Sequence, residues 1–249
     1  MNQMIEILQE DRDILVCRKP AGIPVQTAKL GQQDMVSLLK NYRAGNREVP
    51  EIYTVHRLDQ PVEGVMVFAK TQQAAASLSK QIQQKTMDKY YYAIVEGTPG
   101  SPEGKLEDYL LRDGKTNTSR VVSPGTQGAK KAVLSYRVLQ MKKGSDRKHG
   151  ERKEELAHEV QKAEAAGGYQ SLLEIHLETG RHHQIRAQLA HAGYPLTGDK
   201  KYNPACQSGY LPIGLCSVRL AFCHPATGRK LEYAIEPKGE AFRHFYESP

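Results

Sequence analysis

A strand-rich α+β domain is the fold class that this sequence predicts. Short apolar runs of strand length recur along the chain, helical periodicity is confined to a few windows, and glycine or proline separates the runs. Most connections between successive runs are short, which favours antiparallel neighbours. With 249 residues, 39% hydrophobic and 25% charged, the chain suits one globular domain over residues 1–249.

The elements follow in order. "IEILQEDRDILVCRKPAGIPV" predicts two strands around an acidic turn, ended by Pro20 and Gly22. Asp34 is a cap for a short helix carrying Val36, Leu38, Leu39 and Tyr42. "IYTVHRL" and "GVMVFAK" predict strands on either side of a bend marked by Pro61 and Gly64. Thr71 caps a helix with Ala74, Leu78 and Ile82 on one face. "KYYYAIVEG" is a strand ended by Gly97, and "AVLSYRVLQM" and "SLLEIHLET" are two more. After Gly180, Ile185, Leu189 and Ala192 share a helix face, and Gly193 stops the helix. The tail predicts a strand, a turn at Pro225–Gly228 and a last strand.

Between "AVLSYRVLQM" and "SLLEIHLET" lies a different segment, residues 142–168, with seven Lys or Arg, six Asp or Glu and two His. "ERKEELAHEVQKAEAA" is a good helix former, but its apolar stripe is only Leu156, Val160 and Ala163. The expectation is a charged helical insertion standing off the sheet.

Thirty-five Lys and Arg against 28 Asp and Glu give a net charge of +7. A basic excess favours polyanionic partners. Cys17, Cys206, Cys216 and Cys223 form no CxxC pair, which disfavours a zinc knuckle and a secreted disulfide framework. The opening residues have no signal-peptide pattern, and no apolar run reaches membrane-span length. The expected protein is reduced, cytoplasmic and monomeric, with no metal and no cofactor.

Three constellations carry chemistry. In "HRLD", residues 56–59, an extended backbone puts Arg57 and Asp59 on one face, and an adjacent arginine holds an aspartate ionised. Such a carboxylate is a competent nucleophile or base, although an isolated pair of this kind is more often a salt bridge. In "ETGRHHQIR", Arg181 and Arg186 can grip phosphate or carboxylate beside a helix start. His182 and His183 are adjacent on that helix, diverge, and lack a suitably spaced acidic ligand, so a metal there is disfavoured. In "KYYYAIVEG", Tyr90 and Tyr92 share one strand face and Tyr91 has the other; a tyrosine can stack on a base or simply fill a sheet surface.

Taken together, "HRLD…G…AK", "KxYxAxVxG" and "TGRxHQIRxxLAxxGxPxxGDxxY" resemble the RluA family of RNA pseudouridine synthases, as do "KPAGIPV" and "RLAFCHPATG". The resemblance covers about Lys19 to Pro237. It implies a mixed, largely antiparallel bent β-sheet with flanking helices and a central cleft. It implies that Asp59 is the catalytic aspartate, that Tyr91 contacts the target uracil, and that Arg186 pairs with the aspartate. Arg57 is expected to help extrude the target base, and His56, Arg181, His183 and Gln184 complete the expected substrate contacts. Two departures stand out. Val62 and Glu63 replace the Thr-Ser that usually precedes Gly64, and the residues ahead of the first strands are too few for the N-terminal S4 domain many relatives carry.

The implied reaction is an isomerisation of uridine to pseudouridine in structured RNA, either rRNA or tRNA. A hydrolytic glycosidase is disfavoured, because that chemistry usually needs two cooperating carboxylates. The rival reading is a catalytically silent RNA-binding or ribosome-assembly factor on the same fold; a third, binding of some other polyanion, rests on net charge alone.

Overall fold

The computed structural model describes residues 5–29, 31–143, 168–206 and 212–246. It is an α+β protein whose chain divides into two compact units. One comprises Met1–Tyr91, His176–Thr179 and Leu215–Gly239; the other comprises Tyr92–Ile175, Gly180–Gly214 and Glu240–Pro249. The predicted helix in the 142–168 insertion lies outside the described residues.

The first unit is built on strands β1 (Glu6–Glu10), β2 (Ile14–Lys19), β3 (Tyr53–Thr54), β4 (Glu63–Ala69), β10 (Leu215–Cys223) and β11 (Lys230–Ala234). Their order is β1-β2-β4-β10, with β3 paired to β4 and β11 to β10. All of these pairings are antiparallel except β4 with β10, which is parallel and short: Cys216 opposite Glu63 and Ser217 opposite Gly64. Gly64 permits this approach, because a Cβ there would lie 2.4 Å from the Ser217 Cβ. β2 and β4 are buried along their whole length, which explains why they read as continuous apolar runs rather than alternating ones.

Two helices complete the unit. Helix α1 (Met35–Gly45) starts at the predicted Asp34 cap, in a reciprocal capping box with Ser37. It buries Met35, Leu39 and Arg43; of the apolar residues expected on it, Leu39 is buried, Val36 and Leu38 are half-buried and Tyr42 is exposed. Helix α2 (Gln72–Gln83) is capped by Thr71, whose hydroxyl accepts from the Ala74 N–H. Its Ala74 and Leu78 pack on Val65, Val67, Leu220 and Phe222, as the helical spacing predicts.

The second unit contains β6 (Glu103–Asp113), β7 (Thr118–Val122) and β8 (Lys130–Lys143), joined as an antiparallel run in the order β8-β6-β7. Strands β5 (Asp88–Glu96) and β9 (Tyr169–Leu177) pass from one unit to the other along the chain. Helix α3 (Gln184–His191) follows Gly180, and helix α4 (Glu240–Tyr246) buries Phe242 and Phe245. Three of these elements, β6, β7 and α4, have no counterpart in the sequence reading. The strands were hidden because "EGKLEDYLLRD" is charged on its exposed positions and carries little apolar signal.

Candidate active site

The Asp59 segment is a turn, not a strand. β3 stops at Thr54, so the expected common strand face for Arg57 and Asp59 does not exist. Pro61 has no N–H to give a ladder and restricts Gln60 before it. The Val62 N–H instead closes back on the Asp59 carbonyl at 3.0 Å. Leu58 is buried and anchors the segment, whereas Arg57 is exposed and Asp59 half-buried.

Residues 19–22 hold this turn from below. The Gly22 N–H donates to the Gln60 carbonyl at 2.8 Å, and the Gln60 amide returns a bond to the Gly22 carbonyl at 3.0 Å. Lys19 is fully buried, and its Nζ donates to the carbonyls of Pro20 (2.9 Å), Gln60 (3.1 Å) and Val62 (2.7 Å). Burial lowers its ammonium pKa to about 7, against the opposing pull of the Asp59 and Glu63 carboxylates. Lys19 was not among the residues expected to matter. A lysine ahead of a "PAG" break looks like a surface residue, and nothing local to it reports that Asp59 lies above.

Tyr91, at the boundary of the first unit, is buried. Burial raises its phenol well above the ordinary range, a hydrogen bond with Ser217 lowers it, and the negative charge of Asp59 raises it again. Tyr91 is therefore a neutral hydroxyl at physiological pH, within electrostatic reach of Asp59. The strand alternation predicted for the three tyrosines agrees with this, since Tyr90 and Tyr92 are half-buried and Tyr91 is buried.

The Glu63 departure also has a physical account. Glu63 is buried, and its Oε1 accepts from the backbone N–H groups of Lys238 (3.1 Å) and Gly239 (2.7 Å), with Arg18 3.7 Å from Oε2. Its two oxygens thus face main-chain donors and an arginine. Glu63 serves as an anchor for the segment after β11.

In the second unit, α3 carries the other expected residues. His183 occupies the N-cap position with a left-handed backbone (φ 51°) and makes no side-chain cap. Gln184 is buried; its amide donates to the Val133 carbonyl (3.1 Å) and accepts from the Arg181 N–H (3.0 Å), so it braces the helix start against β8. Arg181 is exposed and its Nε donates to the Lys131 carbonyl at 2.9 Å. His182 and His183 stack with ring centroids 3.8 Å apart. The Nδ1 of His182 pairs with the Ser119 hydroxyl, and that of His183 with the Tyr202 hydroxyl, each at 2.9 Å.

Arg186 is buried. Its Nε and Nη2 donate to the two oxygens of Asp199, both at 2.7 Å, and the Tyr202 ring lies 5.2 Å from its guanidinium carbon. Asp199 also accepts from the Lys201 and Tyr202 backbone N–H groups at 3.0 and 3.3 Å. The Asp199–Tyr202 element was read only as a turn. Its signal was present in the sequence as "GDKKY", but sequence alone does not tell a turn aspartate from a partner for an arginine thirteen positions earlier.

One further group of possible metal ligands, Asp11, Asp13 and His224, occurs among the described residues. The side-chain atoms of Asp11 and His224 are already engaged. The His224 Nδ1 accepts from the Ala226 and Thr227 N–H groups, which leaves the proton on Nε2, directed at Asp11 Oδ2 at 3.1 Å. Among the described residues, no helix is long and apolar enough to cross a membrane.

The α+β fold and the motifs that run along the chain place it in a class of RNA-modifying protein. The RNA pseudouridylate synthase profile matches residues 13–191, and the chain belongs to that family. It is 37% identical over 199 residues to the uncharacterized RNA pseudouridine synthase YhcT of Bacillus subtilis (strain 168), covering 80% of this chain and 57% of that one. It is 36% identical to the ribosomal large subunit pseudouridine synthase D of Pseudomonas aeruginosa, covering 92% of this chain and 67% of that one. Among solved structures, human RNA pseudouridylate synthase domain containing 1 superposes with a TM-score of 0.71 at 19% identity, covering 95% of this chain and 85% of the other. That likeness supports the fold.

Proposed function

We propose that this protein isomerises uridine to pseudouridine in structured RNA, rRNA or tRNA, with Asp59 as the reacting carboxylate. The observation that carries the reading is the Asp59 turn: a carboxylate held at a fixed place by Lys19 and Gly22, with the neutral Tyr91 hydroxyl nearby. The reaction breaks the C1′–N1 bond, turns the uracil and joins C5 to C1′; the C5 proton leaves to solvent and N1 gains one. No electrons are exchanged with a second reactant. Arg57, exposed at the turn, extrudes the target base and takes its place in the stack. Asp59 either attacks C1′ or removes the C2′ proton. Arg186, which Asp199 orients through two hydrogen bonds, is the arginine that the family resemblance assigns to the catalytic aspartate. Tyr91 holds the detached base while it rotates. Arg181, exposed near the start of α3, approaches the RNA backbone, and the net positive charge favours that encounter. The protein acts in the cytoplasm as a monomer.

Release of tritium from 5-tritiated uridine in rRNA and tRNA transcripts tests the reading. Asp59→Asn should leave folding and RNA binding intact and abolish release. Residual activity within about tenfold of wild type, or some 1.4 kcal/mol of barrier, removes Asp59 from the role. RNA binding without any tritium release by the unaltered protein points to the silent RNA-binding factor.

A further inference from the structure

The edge of β4 that faces away from β2 is divided. β10 pairs with it at Glu63 and Gly64, and β3 pairs with it at Phe68 and Ala69. Between these two contacts, no strand among the described residues pairs with residues 65–67 on that edge. Buried ladder groups without partners are costly, so something must serve them. A side chain does so on each side of the gap. The Ser217 hydroxyl donates to the Val65 carbonyl at 3.4 Å, and the Val67 N–H donates to Nε2 of His56 at 3.1 Å.

We infer that His56 is a positioning residue: its imidazole stands in for the missing strand at Val67 and fixes the point where the Asp59 turn leaves the sheet. The sequence placed His56 among the substrate contacts, by its position in "HRLD". The geometry points to a different task. β3 makes its last pair at Thr54, and two residues later the ring of His56 takes the next inward-facing N–H of β4. The chain can then turn away over residues 57–62 without stranding a buried donor. From that departure point, Asp59 is three residues further on, and the far end of the turn is pinned by Lys19. His56 thus fixes the near end of a short segment whose far end is already fixed.

The ring is suited to this. A neutral imidazole offers one acceptor nitrogen, and with Nε2 accepting from Val67 the proton is on Nδ1. Burial, with the Lys89 ammonium adding to it, lowers the His56 pKa to about 3 and keeps the acceptor available across the physiological range. A protonated ring could not accept from Val67.

This inference rests on Asp59 being the reacting carboxylate, and the experiment separates the two. Glutamine places a side-chain oxygen near the position of Nε2, whereas leucine keeps bulk without an acceptor. The wild type, His56→Gln, His56→Leu and Asp59→Asn are compared on large-subunit rRNA and tRNA transcripts carrying 5-tritiated uridine. Single-turnover tritium release and RNA dissociation constants are both measured. A misplacement of a reacting group by about 1 Å can cost on the order of 100-fold, so His56→Leu should slow single turnover by roughly 30- to 100-fold with Kd within about twofold. His56→Gln should recover to within about fivefold of wild type. A weakened Kd with an unchanged single-turnover rate makes His56 an RNA contact and overturns the inference; so does a glutamine variant as slow as the leucine one, or a leucine variant as fast as wild type. Should His56→Leu fail to fold, nitrogen-15 spectra of the wild type decide. A ring protonated on Nδ1 alone from pH 5 to 8 supports the inference, and an Nε2–H or doubly protonated ring refutes it. Substantial activity in Asp59→Asn would instead overturn the reading of Asp59.

Discussion

Lys19→Met offers a quantitative test of the buried ammonium beneath the Asp59 turn. Lys19 is fully buried with its pKa lowered from 10.5 to about 7, so between those values the unfolded chain holds a proton that the folded protein does not. Stability then rises with pH over that window, by 2.303RT for each proton of difference. At pH 8 the folded amine is about nine-tenths deprotonated and the unfolded one fully protonated, which gives a slope of about 1.2 kcal/mol per pH unit. Between pH 7, where the folded amine is half protonated, and pH 9, the accumulated gain is about 2 kcal/mol. Methionine fills the volume without titrating and removes the donor from the carbonyls of Pro20, Gln60 and Val62. The stability difference between wild type and Lys19→Met should therefore grow in favour of wild type by about 2 kcal/mol from pH 7 to pH 9. Urea denaturation at pH 7, 8 and 9 measures it, with unchanged m-values confirming the same transition. A difference that stays flat to within about 0.5 kcal/mol, or that falls as pH rises, would mean that Lys19 remains charged in the folded protein, and the account of its burial would be wrong.

Three other outcomes follow from particular contacts. Gly64→Ala puts a Cβ 2.4 Å from that of Ser217, so it should destabilise the fold by about 1–3 kcal/mol and slow tritium release by disturbing Tyr91; thermal melts and single-turnover rates together check this. Asp199→Ala removes the buried counter-charge of Arg186 and should cost about 3–5 kcal/mol in urea denaturation, with Asp199→Asn milder because one acceptor is kept. Replacing residues 144–167 by a short glycine-containing turn removes the basic cluster that begins "GSDRKHGERK"; RNA affinity should fall and its salt dependence become shallower, whereas equal affinity and slope in filter binding would show that the insertion has no part in RNA binding.

Much of the architecture was legible because its signals are local. Asp34 and Thr71 lie at helix starts and supply oxygen caps, and both helices begin there. β2, β4, β5 and β10 are apolar runs of strand length, and they are strands. The β6–β7 hairpin was not legible, because its exposed positions carry charge and its pairing with β8 supplies the stability that composition does not announce. α3 was half legible. Ile185 and Leu189 gave the periodicity, but Gln184, Arg186 and Gln188 are buried as well, on partners distant in the chain such as Val133, Asp199 and Asp108.

By itself the sequence determined the α+β class, the helix starts, the basic character and, through its motifs, the family, and it named Asp59, Tyr91 and Arg186 as candidates. All of these depend on residue type and near-neighbour spacing. Only the tertiary structure decided what holds those residues. Lys19 is a buried support rather than a surface charge; His56 turns to the β4 edge; Glu63 accepts from amides 175 and 176 residues away; and Asp199 grips Arg186. The physical reason is that a buried polar group takes its meaning from the partner that satisfies it. That partner is fixed by strand order and register, and neither is written in the residues on either side.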